Sequence, residues 1–132
     1  MNVREVEYNG GKLGLRASAL TPRLYRIKFG RDMIVDLNNL KKNFDKVRKS
    51  KEAAAEGAEN DTADVVELSV LDLTIFENVA YIMARQYDKT IPATVDEWLD
   101  SITAVFTVYE ILPAILEMWQ LNQQTTSVPA KK

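Results

Sequence analysis

Neither cysteine nor histidine occurs in this chain. Without cysteine there is no disulfide, no thiolate nucleophile and no sulfur ligand for a metal. Without histidine, Ser–His and Cys–His catalysis and the usual zinc sites are excluded as well. Charge of one sign is also lacking. The formal net charge is −2, with 17 Lys and Arg against 19 Asp and Glu. No global field therefore draws the chain to nucleic acid or to an anionic membrane. No apolar run reaches the roughly 18 residues that a membrane-spanning helix needs. The opening stretch, MNVREVEYNG, holds no apolar segment of the signal-peptide kind. A cytoplasmic chain is expected, with no cofactor and no metal.

Glycine and proline are scarce, 5 and 4 in all, so each marks a boundary. Residues 2–17 read as a β-hairpin. Leu13, Leu15 and Ala17 alternate with Lys12, Gly14 and Arg16, and Val6 and Tyr8 mark the first strand. Asn9-Gly10-Gly11 between them is a turn signal, because Asn and Gly tolerate positive φ. Gly10-Gly11-Lys12 lacks the strand–loop–helix setting of a phosphate loop, and a turn is the better reading.

Helices are expected within 22–56. Thr21-Pro22 opens the first, Thr21 as the cap, with Leu24, Ile27 and, as a third candidate, Tyr25 facing inward. Gly30 should stop it and Asp32 cap the next. Ile34, Leu37, Leu40 (or Lys41), Phe44 and Val47 then form an inward stripe. Residues 48–64 carry almost no large apolar group, so a mobile loop is expected at 57–64.

Further helices are expected within 66–124. Leu68, Leu71, Ile75, Phe76, Val79, Ile82 and Met83 form a wide apolar face, with Ser69 or Asp72 as its cap. Ile91-Pro92 breaks the chain, and Thr94 with Glu97 has the spacing of a capping box. Val95, Trp98, Leu99 and Ile102 should face inward from the short helix that follows. Asp96, Glu97 and Asp100 read as acids favoured by that helix's dipole rather than as metal ligands. The stretch 105–122 is the most apolar and places Val105, Val108, Leu112, Ile115 and Trp119 on one helical stripe. It is expected to sit in the middle of the core and to kink or restart at Pro113. A frayed tail is expected at 125–132. The whole, 1–132, reads as a single domain of mainly α (α+β) class. It is an N-terminal β-hairpin packed on a bundle of about four to five helices.

Two surfaces are candidates for function. The apolar residues of the last helix exceed what so short a chain is expected to bury, so Tyr109, Leu116, Met118 and Trp119 are candidate partner contacts. The basic helix end carries Lys41, Lys42, Lys46, Arg48, Lys49 and Lys51 and gives the alternative, a small nucleic-acid-binding regulator. Asp45 interrupts this cluster, acids follow it and no aromatic residue interleaves with it, which favours a solvated helix end. An enzyme is not expected.

The order of these signals resembles the tail assembly chaperones of long-tailed phages that infect Gram-positive hosts. The resemblance rests first on Asn9-Gly10-Gly11-Lys12, Leu24-Tyr25-Arg26 and Phe29-Gly30-Arg31-Asp32. Its C-terminal part is Glu97-Trp98-Leu99-Asp100, Tyr109-Glu110-Ile111-Leu112-Pro113 and Met118-Trp119-Gln120-Leu121-Asn122. It covers most of the chain except 48–64, whose Ala/Glu/Asn/Asp-rich composition departs from a compact member. The resemblance implies a non-enzymatic factor of phage tail morphogenesis. Such a factor binds the tape measure protein, keeps it soluble and helps recruit tail tube protein subunits. It further implies action in the host cytoplasm, absence from the mature virion, and a longer form made by programmed frameshift. Homo-oligomers are expected from repeated binding along one long partner.

Overall fold

A computed structural model describes residues 2–55, 67–102 and 107–120, with the backbone alone at 51–55. The chain is mostly helical, and its N-terminal hairpin packs on the helices. Strands β1 (Asn2–Tyr8) and β2 (Gly11–Ala17) pair antiparallel, from Asn2 opposite Ala17 to Tyr8 opposite Gly11. Asn9 (φ 42°) and Gly10 (φ 85°) form the turn, both in the positive-φ region that matches the strands' twist. Alternation sets the faces: Val6, Tyr8, Leu13, Leu15 and Ala17 are buried on one side.

Helices α1 (Leu20–Phe29), α2 (Met33–Ala55), α3 (Val70–Tyr87), α4 (Val95–Ser101) and α5 (Val108–Met118) follow. The hub is α3, which packs on β2, α1, α2, α4 and α5. The apolar density of 105–122 assigns that place to the last helix, but α5 has β1 and α3 as its main neighbours. A helix enclosed on several sides buries more than one stripe. Val79 through Ala84 are accordingly buried without a break.

Local chemistry sets most boundaries. Gly30 takes φ +70° and donates its amide to the Arg26 carbonyl at 2.8 Å, ending α1. Asp32 Oδ1 accepts the amides of Ile34 (3.0 Å) and Val35 (3.1 Å), starting α2. Ser69 and Asp72 form a reciprocal capping box on α3, with bonds of 3.0 and 3.1 Å. Asn43 of α2 donates to both oxygens of the same Asp72, so the cap also fixes α2 against α3.

Several expectations are corrected. Helix α1 begins at Leu20, one residue before the expected cap. Ser18 Oγ accepts the Leu20 amide instead, and the Thr21 hydroxyl turns inward to donate to Gln86 Oε1. Ile27 faces outward, because the buried face of α1 runs through Thr21 and Tyr25 and Ile27 lies about 200° round from Tyr25. Leu71 is exposed because the buried face at that end runs through Asp72, Ile75, Phe76 and Val79. At α4 the Thr94 hydroxyl accepts the Glu97 amide at 3.1 Å, but the Glu97 carboxylate bonds the Thr94 hydroxyl and not its amide. Helix α5 is shorter than the apolar stretch. Thr107 is extended (φ −106°) and its hydroxyl caps the Tyr109 amide at 3.3 Å, while Gln120 takes φ +59° beyond the C-cap. Pro113 lies inside α5, and the helix runs on from Val108 to Met118 without restarting. The loop expected at 57–64, the tail at 125–132, and Val105, Leu121 and Asn122 lie outside the described residues.

A partly buried ionic group joins α1 to α2, with Asp36 and Tyr25 buried and Arg31 reaching the surface. Asp36 accepts Arg31 Nε (2.7 Å), Arg31 Nη2 (2.9 Å) and the Tyr25 hydroxyl (2.9 Å). Burial works against the carboxylate, but the Arg31 and Tyr25 hydrogen bonds and the Arg31 charge outweigh it and hold its pKa low. Elsewhere Asn2 Nδ2 donates to the Met118 carbonyl at 2.6 Å, and Arg4 pairs with Glu117, tying β1 to the end of α5.

Candidate functional site

Helix α1 carries two apolar stripes. Thr21 and Tyr25 close on the core, whereas Leu20 and Ile27 face a groove between α1 and α3, and Leu24, at i+4 from Leu20, both packs on the core as expected and lines that groove. Leu20 is 48% exposed and Ile27 67%. The groove has a volume of about 850 Å³, and α3 contributes Tyr81, Ile82, Arg85 and Gln86 to it. Arg16 of β2, Lys28 of α1, Arg85 of α3 and Lys89 just beyond α3 bring four cations to the same groove, and no acidic residue lines it.

The walls are held by named bonds. The Tyr81 hydroxyl donates to the Pro92 carbonyl at 2.6 Å, and its ring lies 5.5 Å from that of Trp98. Burial pushes the Tyr81 phenol up, so it stays a donor. Lys28 Nζ donates to the Ala93 carbonyl at 3.1 Å and sits 5.7 Å from the centre of the Tyr81 ring. Arg85 Nε donates to the Ile91 carbonyl at 3.3 Å. Gln86 Nε2 donates to Ser18 Oγ at 3.2 Å, joining two residues of the groove lining. Arg16 Nε is buried and has no hydrogen-bond partner among the described residues.

The residues that the sequence marks for partner contact are divided. Leu116 and Met118 are buried against the fold's own core. Trp119 is half-buried at the C-cap of α5, and its indole Nε1 donates to Met83 Sδ at 3.5 Å. Tyr109 is 44% exposed, its ring 5.9 Å from that of Phe44. Only Tyr109 and Trp119 of this set present surface; the other two meet a partner only if α5 moves.

The basic residues are divided too. Lys41, Lys42, Lys46 and Lys49 line one shallow depression on α2 with Asn38 and Asp45. Asp45 accepts Lys41 Nζ at 2.8 Å, which removes one charge from that set. Arg48 leaves it and lies 5.7 Å from the centre of the Phe44 ring. Among the described residues no group of three or more acids could hold a metal ion, and no helix is long and apolar enough to cross a membrane.

Reading every apolar stripe as core-facing hides the α1–α3 groove. Its signal in the sequence is that Leu20, Leu24 and Ile27 fall on one side of a helix whose Thr21 and Tyr25 fall on another. The chain matches no family model, no curated protein and no solved structure.

Proposed function

We propose that this chain is a non-enzymatic tail assembly chaperone that binds the tape measure protein, keeps it soluble and helps recruit tail tube subunits. The observation that supports this reading best is the pair of exposed apolar residues Leu20 and Ile27, which with the half-buried Leu24 line a groove of about 850 Å³. A tape measure protein is a long helical polypeptide, and covering its apolar stripes is what such a groove is suited to. The order of sequence motifs points to the same family. Action in the host cytoplasm, absence from the finished virion and self-association along one long partner belong to the same proposal.

Co-expression tests it. The tape measure protein should move from the insoluble to the soluble fraction when this chain is present and should co-purify with it. Equal insolubility with and without the chain defeats the reading.

One observation favours a second reading, a nucleic-acid-binding regulator: Lys41, Lys42, Lys46 and Lys49 share one depression. It requires binding to DNA or RNA that weakens steeply with salt. No binding at low ionic strength eliminates it.

A further inference from the structure

We propose that the α1–α3 groove receives an acidic amphipathic helix, its apolar side against Leu20, Leu24 and Ile27 and its flanking carboxylates on Arg16, Lys28, Arg85 and Lys89. This names the chemistry of the partner segment. It rests on the chaperone reading only for the identity of the protein that carries that segment.

Three features select this occupant. The first is charge. The groove gathers four cations and no acid. Lys28 and Arg85 bond to the neutral carbonyls of Ala93 and Ile91, which leaves their charge uncompensated. Asp88 and Glu97, acids on adjoining segments, accept from Thr90 and Thr94 and form no ion pair with the rim.

The second is Arg16. Arg16 lines the groove, forms no ion pair among the described residues, and its Nε lacks an acceptor there. A carboxylate arriving in the groove supplies its guanidinium with a charge-assisted bond.

The third is the backbone. The two long walls are helices, whose amides and carbonyls bond within themselves, so an extended segment lying along them finds no ladder to join. A helical segment needs none. The stripe from Leu20 to Ile27 is roughly 10 Å long, which corresponds to two turns of a helix lying along it. The floor is aliphatic, and its one aromatic ring, Tyr81, is already engaged by Pro92, Trp98 and Lys28. That disfavours stacked bases.

Synthetic peptides of about 18 residues test this on the full chain, long enough to form helix on binding. One carries leucines at i, i+3, i+4 and i+7 flanked by glutamates; a second replaces the glutamates by lysines; a third replaces the leucines by serines. Fluorescence anisotropy should show the first binding at least about tenfold more tightly than either control, with the preference shrinking as salt rises. Ile27→Asp, and separately Arg85→Glu with Lys89→Glu, should each weaken it by about tenfold or more while circular dichroism stays unchanged. Equal binding of the lysine peptide overturns the proposal, as does binding indifferent to Ile27→Asp. Displacement of the acidic peptide by phosphatidylglycerol vesicles also overturns it, since the groove would then be reading a membrane surface.

The same variants separate this inference from the broader reading. If the tape measure protein is solubilised equally well by Ile27→Asp, the groove assignment fails and the chaperone stands. If the acidic peptide binds but the tape measure protein stays insoluble, the groove stands and the chaperone reading fails.

Discussion

The ring of Tyr87 fills the space that any side chain at position 14 would occupy, so a methyl group built on Gly14 overlaps it. Gly14 lies on the hairpin face opposite Leu13 and Leu15, directly across from Glu5. The Tyr87 hydroxyl donates to Glu5 Oε2 at 2.8 Å. The last residue of α3 therefore covers the hairpin face opposite Leu13 and Leu15, on a hairpin whose β2 strand already packs on α3. Gly14→Ala should displace Tyr87 and break its bond to Glu5. In a Tyr87→Ala background the same change should be neutral or stabilising, because alanine is favoured over glycine in a strand by about 0.5–1 kcal/mol. A double-mutant cycle by urea denaturation should give a coupling of about 1–2 kcal/mol. Strict additivity would mean that the ring is not held there.

The Asp36 carboxylate should make stability fall at acid pH. Its folded pKa lies below its unfolded value, so in the acid range the unfolded chain binds more protons. The contribution is fully present above about pH 4 and is lost as pH falls through the depressed folded pKa. Asp36→Asn should flatten that limb of a stability-versus-pH curve. Asp36→Ala removes the acceptor of the buried Tyr25 hydroxyl as well, and should cost about 1–3 kcal/mol at neutral pH.

The phenol of Tyr25 acts in the alkaline range with the opposite sign. Burial, the bond to Asp36 and the Asp36 charge push its pKa well above the usual tyrosine value. Above about pH 10 the unfolded chain loses the proton while the folded one keeps it, so stability falls as pH rises. Tyr25→Phe should remove this alkaline loss while weakening the acid-range support of Asp36. An unchanged alkaline limb in Tyr25→Phe would assign the effect elsewhere.

Side chains on α5 should separate into fold and surface. Leu116→Ala truncates a buried contact and should destabilise by about 2–5 kcal/mol. Tyr109→Ser should stay within about 1 kcal/mol, since much of that ring is already in water. Loss of tape measure binding in Leu116→Ala would then report unfolding, whereas loss in Tyr109→Ser with an intact thermal transition would mark α5 as a contact surface.

Capping of α3 should be worth more at Asp72 than at Ser69. Ser69→Ala removes one side-chain cap and should cost about 1 kcal/mol. Asp72→Ala removes the reciprocal bond and also the acceptor of Asn43, so the loss should be larger by roughly 0.5–1.5 kcal/mol. Equal losses in chemical denaturation would show that Asn43 contributes nothing.

Local features were legible in the sequence because their causes are local. Asn9-Gly10 fixes a turn by tolerating positive φ, Gly30 ends α1 by the same freedom, and Asp32 caps α2 with its own oxygen. The stripe Leu37, Leu40, Phe44 and Val47 is buried as its spacing requires, since α2 presents one face to the core. The absence of histidine and cysteine settled which side-chain chemistry the protein lacks. Other features depend on which elements meet. Apolar spacing could not tell which helix is central, because α3 is enclosed by its neighbours rather than marked by its own pattern. Nor could it tell which stripe of α1 faces the core, since Thr21 won that place through a bond to Gln86, distant in the chain. Arg16, Lys28, Arg85 and Lys89 come from separate elements, and only the packing of α1 and β2 on α3 brings their charges to one groove.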